Sequence, residues 1–333
     1  MREPAFWWRT AGRAAALLAA ASAVYAAVAV RRMRRTGRHI GIPVLCVGNF
    51  TLGGAGKTPT ALALAKILMD AGERPFFLTR GYGGRLSGPV QVDPAGHRAR
   101  DVGDEPLLLA ELAPTIVAHD RIAGAETALA GGATVIVMDD GFQNPTLHKD
   151  VSLVVVDARR GIGNRRVFPA GPLRAPLEQQ LQQTTAILLI GEGELPEALS
   201  GEIETRKIPL FRAHIEADAA ALAALSGVGV LAFAGIGDPE KFFVTLQAAG
   251  IEPLARQAFP DHHRYTPSDA AVLLRRARQE GLALVTTAKD FVRLAGDEKL
   301  TALAAEARSL PVKLVFEDEA ALRDWLLPRL RGG

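Results

Sequence analysis

The chain has 333 residues, 48% of them hydrophobic, enough to bury two cores of ordinary size and too apolar for a disordered protein. Its formal net charge is +3, but the first 38 residues hold eight arginines (2, 9, 13, 31, 32, 34, 35 and 38) against Glu3, so the other 295 carry −4. Positive charge gathered around one apolar segment reads as a membrane address and argues against a nucleic-acid partner, and the single cysteine excludes an internal disulfide.

That segment, AAALLAAASAVYAAVAV at 14–30, is an uncharged run of 17 residues between Arg9 and Arg13 on one side and Arg31, Arg32, Arg34 and Arg35 on the other. It is at the lower limit for crossing a bilayer as a helix. A cleavable signal peptide is a rival, because small residues near Tyr25 resemble a cleavage region. Arginines directly after the run would hinder export, so the segment reads as an uncleaved anchor, spanning or interfacial, with its arginine-rich side toward the cytosol. Trp7 and Trp8 are expected at the headgroup level. A surface helix packed on the folded domain is the plain alternative.

Next comes IPVLCV, a buried strand in which Cys46 reads as core packing, and then NFTLGGAGKTPT at 49–60. TLGGAGKT keeps the second glycine, the lysine and the hydroxyl of a phosphate-binding loop and precedes the apolar helix TPTALALAKILMDAG. Gly53, Gly54 and Gly56 are expected to allow positive φ and close approach of the backbone to phosphates. Lys57 would reach the outer phosphates, and Thr58 would ligate magnesium. Thr51 stands where the first glycine of the pattern is usual. Pro59 is tolerated in the first helical turn.

PFFLT then leads into TRGYGG (79–84), where Arg80 is placed to reach the phosphates or, equally, to end a strand in solvent. DVGDEPLLLA (101–110) puts Asp104 before a helix, a position that by itself reads as a cap. ATVIVMDDGFQ ends a strand in Asp139 and Asp140, the expected second contact for magnesium beside a phosphate-binding loop. VSLVVVD, AILLIG, GVLAFAG, ALVTTA and VKLVF continue a βα rhythm that argues parallel sheets covered by helices. GIGDP (235–239) reads as a packing turn, and His262 and His263 beside Asp261 read, from the residues alone, as loop positions.

The motifs GNFTLGGAGKTP, TRGYGG, GDEP, DDGFQ, FPAGPLRAP (168–176), FPDHHRY (259–265) and TTAKDFVRL (286–294) together, in this order, resemble the tetraacyldisaccharide 4'-kinase family. The resemblance runs over most of the chain. It implies an α/β fold with a P-loop, RecA-like parallel sheet core, a second, smaller α/β domain and the N-terminal membrane-anchor helix. Residues 1–35 are then the anchor, 36–150 the P-loop core with 312–333 returning to it, and 151–311 the smaller domain. It implies ATP and Mg2+ as cofactors and transfer of the γ-phosphate to the 4'-hydroxyl of tetraacyldisaccharide 1-phosphate, a lipid A precursor, at the cytosolic face of the inner membrane.

By the same resemblance Asp104 and His262 act on the hydroxyl proton, Asp104 accepting it and His262 orienting it, with Lys57 and Arg80 stabilising charge. Thr51, Gly53, Gly54, Gly56, Lys57 and Thr58 hold the nucleotide, and Thr58, Asp139 and Asp140 the metal. Glu105 and Gln143 are secondary candidates. The chain departs from the family pattern at Asn144, where histidine often follows DDGFQ. A membrane-associated switch ATPase of the partitioning type is the rival function. Its loop reads KGGxGK[ST], and Leu52 stands where its signature lysine belongs.

Overall fold

The computed structural model describes residues 3–332. Thirteen strands form two sheets. Those of the larger are β1 Val44–Asn49, β2 Pro75–Thr79, β3 Val90–Gln91, β4 Thr115–Val117, β5 Val135–Asp139, β6 Val151–Asp157, β7 Ala186–Ile190, β8 Leu210–Ala217 and β13 Val312–Phe316. Their order is β13-β8-β7-β6-β1-β5-β2-β4-β3. All neighbours are parallel except the two edge pairs, β13 with β8 and β3 with β4. The smaller sheet is all parallel, in the order β10 (Ala255–Ala258), β9 (Val230–Ala234), β11 (Ala283–Thr287), β12 (Ala307–Leu310).

The apolar runs of the sequence become strands buried on both faces, the usual result of helices covering a parallel sheet. Val44 and Cys46 face one core, with Leu78, Ile136, Met138 and Val154, while Leu45 and Val47 face the other, with Leu64, Leu68, Phe77 and Val137. The helix Lys57–Asp70 covers that second face together with Leu322, Leu326 and Leu330 of the helix Glu319–Arg331. Each such leucine removed from water contributes about 1.5–3 kcal/mol.

Two organisational expectations change. The boundary placed near residue 150 falls just before β6, which pairs with β1 in the middle of the larger sheet. β7 and β8 extend the same sheet, so the second unit begins only at β9, Val230, and runs through β12 to Leu310. The reason is the apolar run VSLVVVD, which can only be satisfied inside a sheet already covered on both faces.

The continuous helix expected over 14–30 is broken at Leu18 into Arg13–Leu17 and Ala19–Met33. Among the described residues no helix is long and apolar enough to cross a membrane. The segment packs on the FPAGP loop: Ser22 Oγ donates to the Val167 carbonyl at 2.7 Å, and the rings of Tyr25 and Trp7 meet Phe168 at 5.2 and 6.0 Å. Trp7 is buried there rather than held at headgroups, its indole N–H donating to the Pro169 carbonyl at 3.1 Å. Trp8 lies under the Arg160 guanidinium, 4.9 Å from its ring centre.

β1 leads through the helix Lys57–Asp70 to β2, which lies beyond β5, and β5 leads back over β1 to β6. Connections therefore leave β1 and β5 in opposite directions, and the crevice at their carboxyl ends is where an open parallel sheet binds ligands.

Candidate active site

The turn after β1 occupies that crevice. Gly53 (φ 99°) and Gly56 (φ 94°) are left-handed, a conformation closed to residues with a Cβ at little cost. Gly54 does not share it, and a Cβ there would meet nothing within 4 Å; its expected positive φ is not found. Thr51 is not left-handed either, since it forms a bridge with Leu173 while the Leu52 N–H donates to the Pro172 carbonyl at 2.8 Å. That pairing explains why no glycine is needed at the first position.

Lys57 opens the helix, buried, with Nζ 3.4 Å from the Gly53 carbonyl and 3.7 Å from Asp140 Oδ1. Burial lowers its pKa. Thr58 Oγ1 donates to Asp139 Oδ2 at 3.2 Å. Asp139 Oδ1 is buried with no partner among the described residues. Burial, then Glu105 and Asp140, push the Asp139 carboxyl up to about 7. An orphaned carboxylate oxygen beside a threonine hydroxyl is a hard oxygen donor set of the kind Mg2+ takes.

Asp140 is engaged differently. Arg174 Nη1 pairs with its Oδ1 at 2.9 Å and Nη2 donates to Oδ2 at 3.2 Å. Although burial opposes it, the Arg174 and Lys57 charges hold the Asp140 carboxyl well below the usual range. Arg174 Nε also donates to the Thr51 carbonyl at 2.9 Å. Sequence reasoning quoted FPAGPLRAP but gave Arg174 no role; one arginine in an otherwise apolar motif was the available signal.

Arg80 follows β2 and is exposed. It sits beside the buried Arg121, whose pKa burial and then the Arg80 charge lower to about 10. Gln143 does not face the crevice freely, because its Nε2 donates to the Asn49 carbonyl at 2.8 Å and to Gln180 Oε1 at 2.9 Å. Asn144 closes its own turn, with Oδ1 accepting from Thr146 N and Oγ1 at 2.9 and 2.7 Å.

The smaller sheet faces this edge. Asp104 is the first residue of the helix Asp104–Ala110, after Gly103, and it does not cap that helix. It is 4% exposed, and its Oδ2 accepts from Arg293 Nε at 2.8 Å and from Nη2. His262, at φ 53°, brings Nδ1 to 3.5 Å from the same oxygen. His263 instead stacks on Phe259 and meets Asp269 Oδ2 at 3.1 Å, which singles out His262. Glu105 Oε1 accepts from Lys289 Nζ at 2.5 Å. Lys289 and Arg293 went unassigned by sequence reasoning, although their spacing in TTAKDFVRL puts two cations one helical turn apart.

A second contact joins the units. Lys241 pairs with Asp157 and lies 3.5 Å from the Gly54 carbonyl. Asp238 of GIGDP is the N-cap residue of the helix Pro239–Ala248, but its side chain makes no cap hydrogen bond. Its carboxylate pairs with Arg159 and, at 2.8 Å, with Arg160, so the packing turn carries an ion pair between units.

A glycine-rich loop beside an orphaned buried carboxylate oxygen, with a buried carboxylate–imidazole pair contributed by two units, is an arrangement suited to moving a phosphoryl group onto a hydroxyl. Residues 14–331 match the family model described as tetraacyldisaccharide-1-P 4'-kinase. The chain is similar to the tetraacyldisaccharide 4'-kinase of Nitrobacter winogradskyi, 54% identical over 98% of this chain and 97% of the relative. It is likewise similar to that of Rhodopseudomonas palustris BisA53, 54% identical over 99% of this chain and 96% of the relative. Its structure resembles that of LpxK from Aquifex aeolicus in complex with ATP, with a TM-score of 0.73 and 26% identity over 95% of this chain and 99% of that one. The family model spans both sheets and every residue of the site: the chain belongs to the tetraacyldisaccharide 4'-kinase family.

Proposed function

We propose that the chain performs its family's reaction, transfer of the γ-phosphoryl group of ATP to the 4'-hydroxyl of tetraacyldisaccharide 1-phosphate in lipid A biosynthesis, with roles divided between the two units. The observations that support this reading are the pairing of Thr58 with Asp139 beside the loop and the pairing of Asp104 with His262 between the two units. The loop backbone at 51–56, with the N-terminus of the helix Lys57–Asp70, receives the ATP phosphates, and Lys57 lies along the outer ones. Thr58 and Asp139 would hold Mg2+, which neutralises phosphate charge when bound. Asp140, neutralised by Arg174 and Lys57, shapes the loop and contributes less to the metal than expected. Arg80, exposed just after β2, is the candidate for an additional cation.

Asp104 and His262 act on the acceptor hydroxyl as a pair, since a sugar hydroxyl is a poor nucleophile until its proton is taken. The switch-ATPase alternative lacks comparable support: position 52 is leucine and its backbone is tied to Pro172.

The membrane contact is part of the same proposal. Leu17, Val24 and Val28 are exposed on the N-terminal helices, and Arg31 and Arg32 follow in the last turn. Apolar side chains beside arginines fit a segment lying in the interface of the cytosolic leaflet. Acting there avoids extracting acyl chains, which costs about 0.8 kcal/mol per CH2.

The test is transfer of labelled γ-phosphate from ATP to detergent-dispersed tetraacyldisaccharide 1-phosphate. Label is expected in the lipid with the unsubstituted chain and is lost with Lys57→Ala. ATP hydrolysis that rises with protein concentration, with no label in the lipid, would overturn the reading.

A further inference from the structure

Away from the crevice, the chain just ahead of β1 and β6 brings two imidazoles and a carboxylate together. Residues 37–39 and 146–148 run side by side. Arg38 and Leu147 form a parallel bridge, the Arg38 N–H donates to the Thr146 carbonyl at 2.9 Å and the His148 N–H to the Arg38 carbonyl at 3.0 Å. Gly37 permits this approach, since a Cβ there would come within 2.4 Å of the His148 backbone nitrogen. Backbone pairing thereby sets His39 beside His148, and their rings stack with centres 3.7 Å apart and planes inclined by 26°.

Asp150 completes the group. Its Oδ2 accepts from the Val44 N–H at 2.7 Å and its own N–H donates to the Val44 carbonyl at 3.0 Å, which pins the carboxylate to the first residue of β1. The other oxygen, Oδ1, lies 3.8 Å from His148 Nε2. One ring nitrogen from each histidine and one carboxylate oxygen all lie within 4.8 Å of one another. His39 is exposed, and the side chains of His148 and Asp150 are partly so, which leaves the cluster open to an ion from solvent.

We propose that His39, His148 and Asp150 form a site for a divalent transition metal, with Zn2+ the ion the donors suit best. Two imidazole nitrogens and a carboxylate oxygen make a recurrent zinc set, with water in the fourth tetrahedral position. Mg2+ prefers oxygen donors alone. Zinc bonds of about 2.0–2.2 Å hold tetrahedral donors roughly 3.4 Å apart, so the three atoms must draw together by no more than about 1.5 Å. His39 can supply that movement and open the ring stack, because among the described residues its side chain makes no hydrogen bond. The ion would tie the stretch leading from the N-terminal helices into β1 to the turn that enters β6. All six residues of β1 separate this cluster from the phosphate loop, about 20 Å. The site is therefore distinct from that of Thr58 and Asp139 and does not rest on the kinase reading.

The test titrates Zn2+ alone into the full chain, first stripped of metal with a chelator and then kept in excess Mg2+, and follows binding by calorimetry. The unsubstituted chain is expected to take up one equivalent at this site, and His39→Ala and His148→Ala should each weaken that binding at least about tenfold. Zn2+ should also raise the denaturant midpoint of the unsubstituted chain, because an ion held by the folded state alone stabilises it, and should leave both variants unmoved. His39 is exposed, so His39→Ala is expected to fold normally and carries the test if His148→Ala does not fold. Zn2+ bound as tightly by His39→Ala, or raising its midpoint equally, would place the ion elsewhere and overturn the proposal. So would the lack of any saturable binding by the unsubstituted chain.

Discussion

Arg174 joins the first residue of the phosphate loop to the second residue of the aspartate pair, donating from Nε to the Thr51 carbonyl at 2.9 Å and pairing through Nη1 with Asp140 at 2.9 Å. One planar side chain thereby sets the distance between the end of β1 and the end of β5, the two strands that flank the crevice. Arg174→Ala should weaken ATP binding and lower kcat/KM by about 10–10²-fold, the effect of a lost charge-assisted pair of hydrogen bonds. Arg174→Lys should recover little of it, because an ammonium cannot serve both partners. Nucleotide titration and steady-state kinetics on the two variants check this, and full rescue by lysine would show that charge alone matters.

Asp139 and Asp140, adjacent in sequence, should separate in their metal response. Asp139→Asn is expected to raise the Mg2+ concentration needed for half-maximal activity by at least about tenfold, whereas Asp140→Asn should act mainly on nucleotide binding through Arg174 and Lys57. Mg2+ titrations at saturating ATP make the comparison. Equal shifts for both variants would return Asp140 to the metal.

Stability should depend on pH through Asp104. Its carboxyl is held low in the folded chain, so the stabilisation it provides is present above the ordinary aspartate range, near 4, and is lost as pH falls toward the folded value. Asp104→Asn, which strands the buried Arg293, should cost about 3 kcal/mol near pH 7, and the gap to the unsubstituted chain should narrow below pH 4. His262 has the opposite sign. Its raised pKa stabilises the fold below about 6.5 and that contribution fades as pH rises through the folded value. Denaturant melts from pH 2 to pH 8 measure both, and a gap that widens in acid would contradict the pairing.

The exposed face of the N-terminal helices should govern membrane contact. Val24→Glu with Val28→Glu is expected to cut co-sedimentation with anionic vesicles severalfold while leaving ATP binding unchanged, and salt should weaken binding of the unsubstituted chain. Unaltered vesicle binding by the double variant would move the contact elsewhere.

Much of the larger sheet was legible because β1, β2, β5, β6 and β7 are continuous apolar runs. β8, LFRAHIEA, was not, since it lies one strand from the edge, is only partly covered and alternates polar with apolar residues. The two-residue β3 and the short β10 and β12 carry too few apolar side chains for a periodic signal. At the site, the loop and the aspartate pair could be read locally, because strand, turn and helix are contiguous there. The contacts of Arg174, Lys289 and Arg293 could not. Each depends on the chain returning to the crevice after a long excursion, and nothing in the local pattern of a lone cation names its distant carboxylate. The N-terminal segment misled for a related reason: its helix length was inferred from apolar residues alone, and the break at Leu18 reflects docking of Trp7, Ser22 and Tyr25 onto the loop around Phe168.

That the two units form one phosphoryl-transfer site is tested most directly by a single-turnover experiment with His262→Ala, enzyme in excess over labelled ATP and saturating disaccharide. His262 lies in the smaller unit and, among the described residues, its side chain pairs with Asp104, Asp261 and Arg293 rather than with the loop residues 51–58. ATP affinity should therefore stay within about twofold while the rate of label transfer to the lipid falls about 10²-fold or more. Transfer at the unsubstituted rate would contradict a shared site and leave catalysis to the P-loop unit alone.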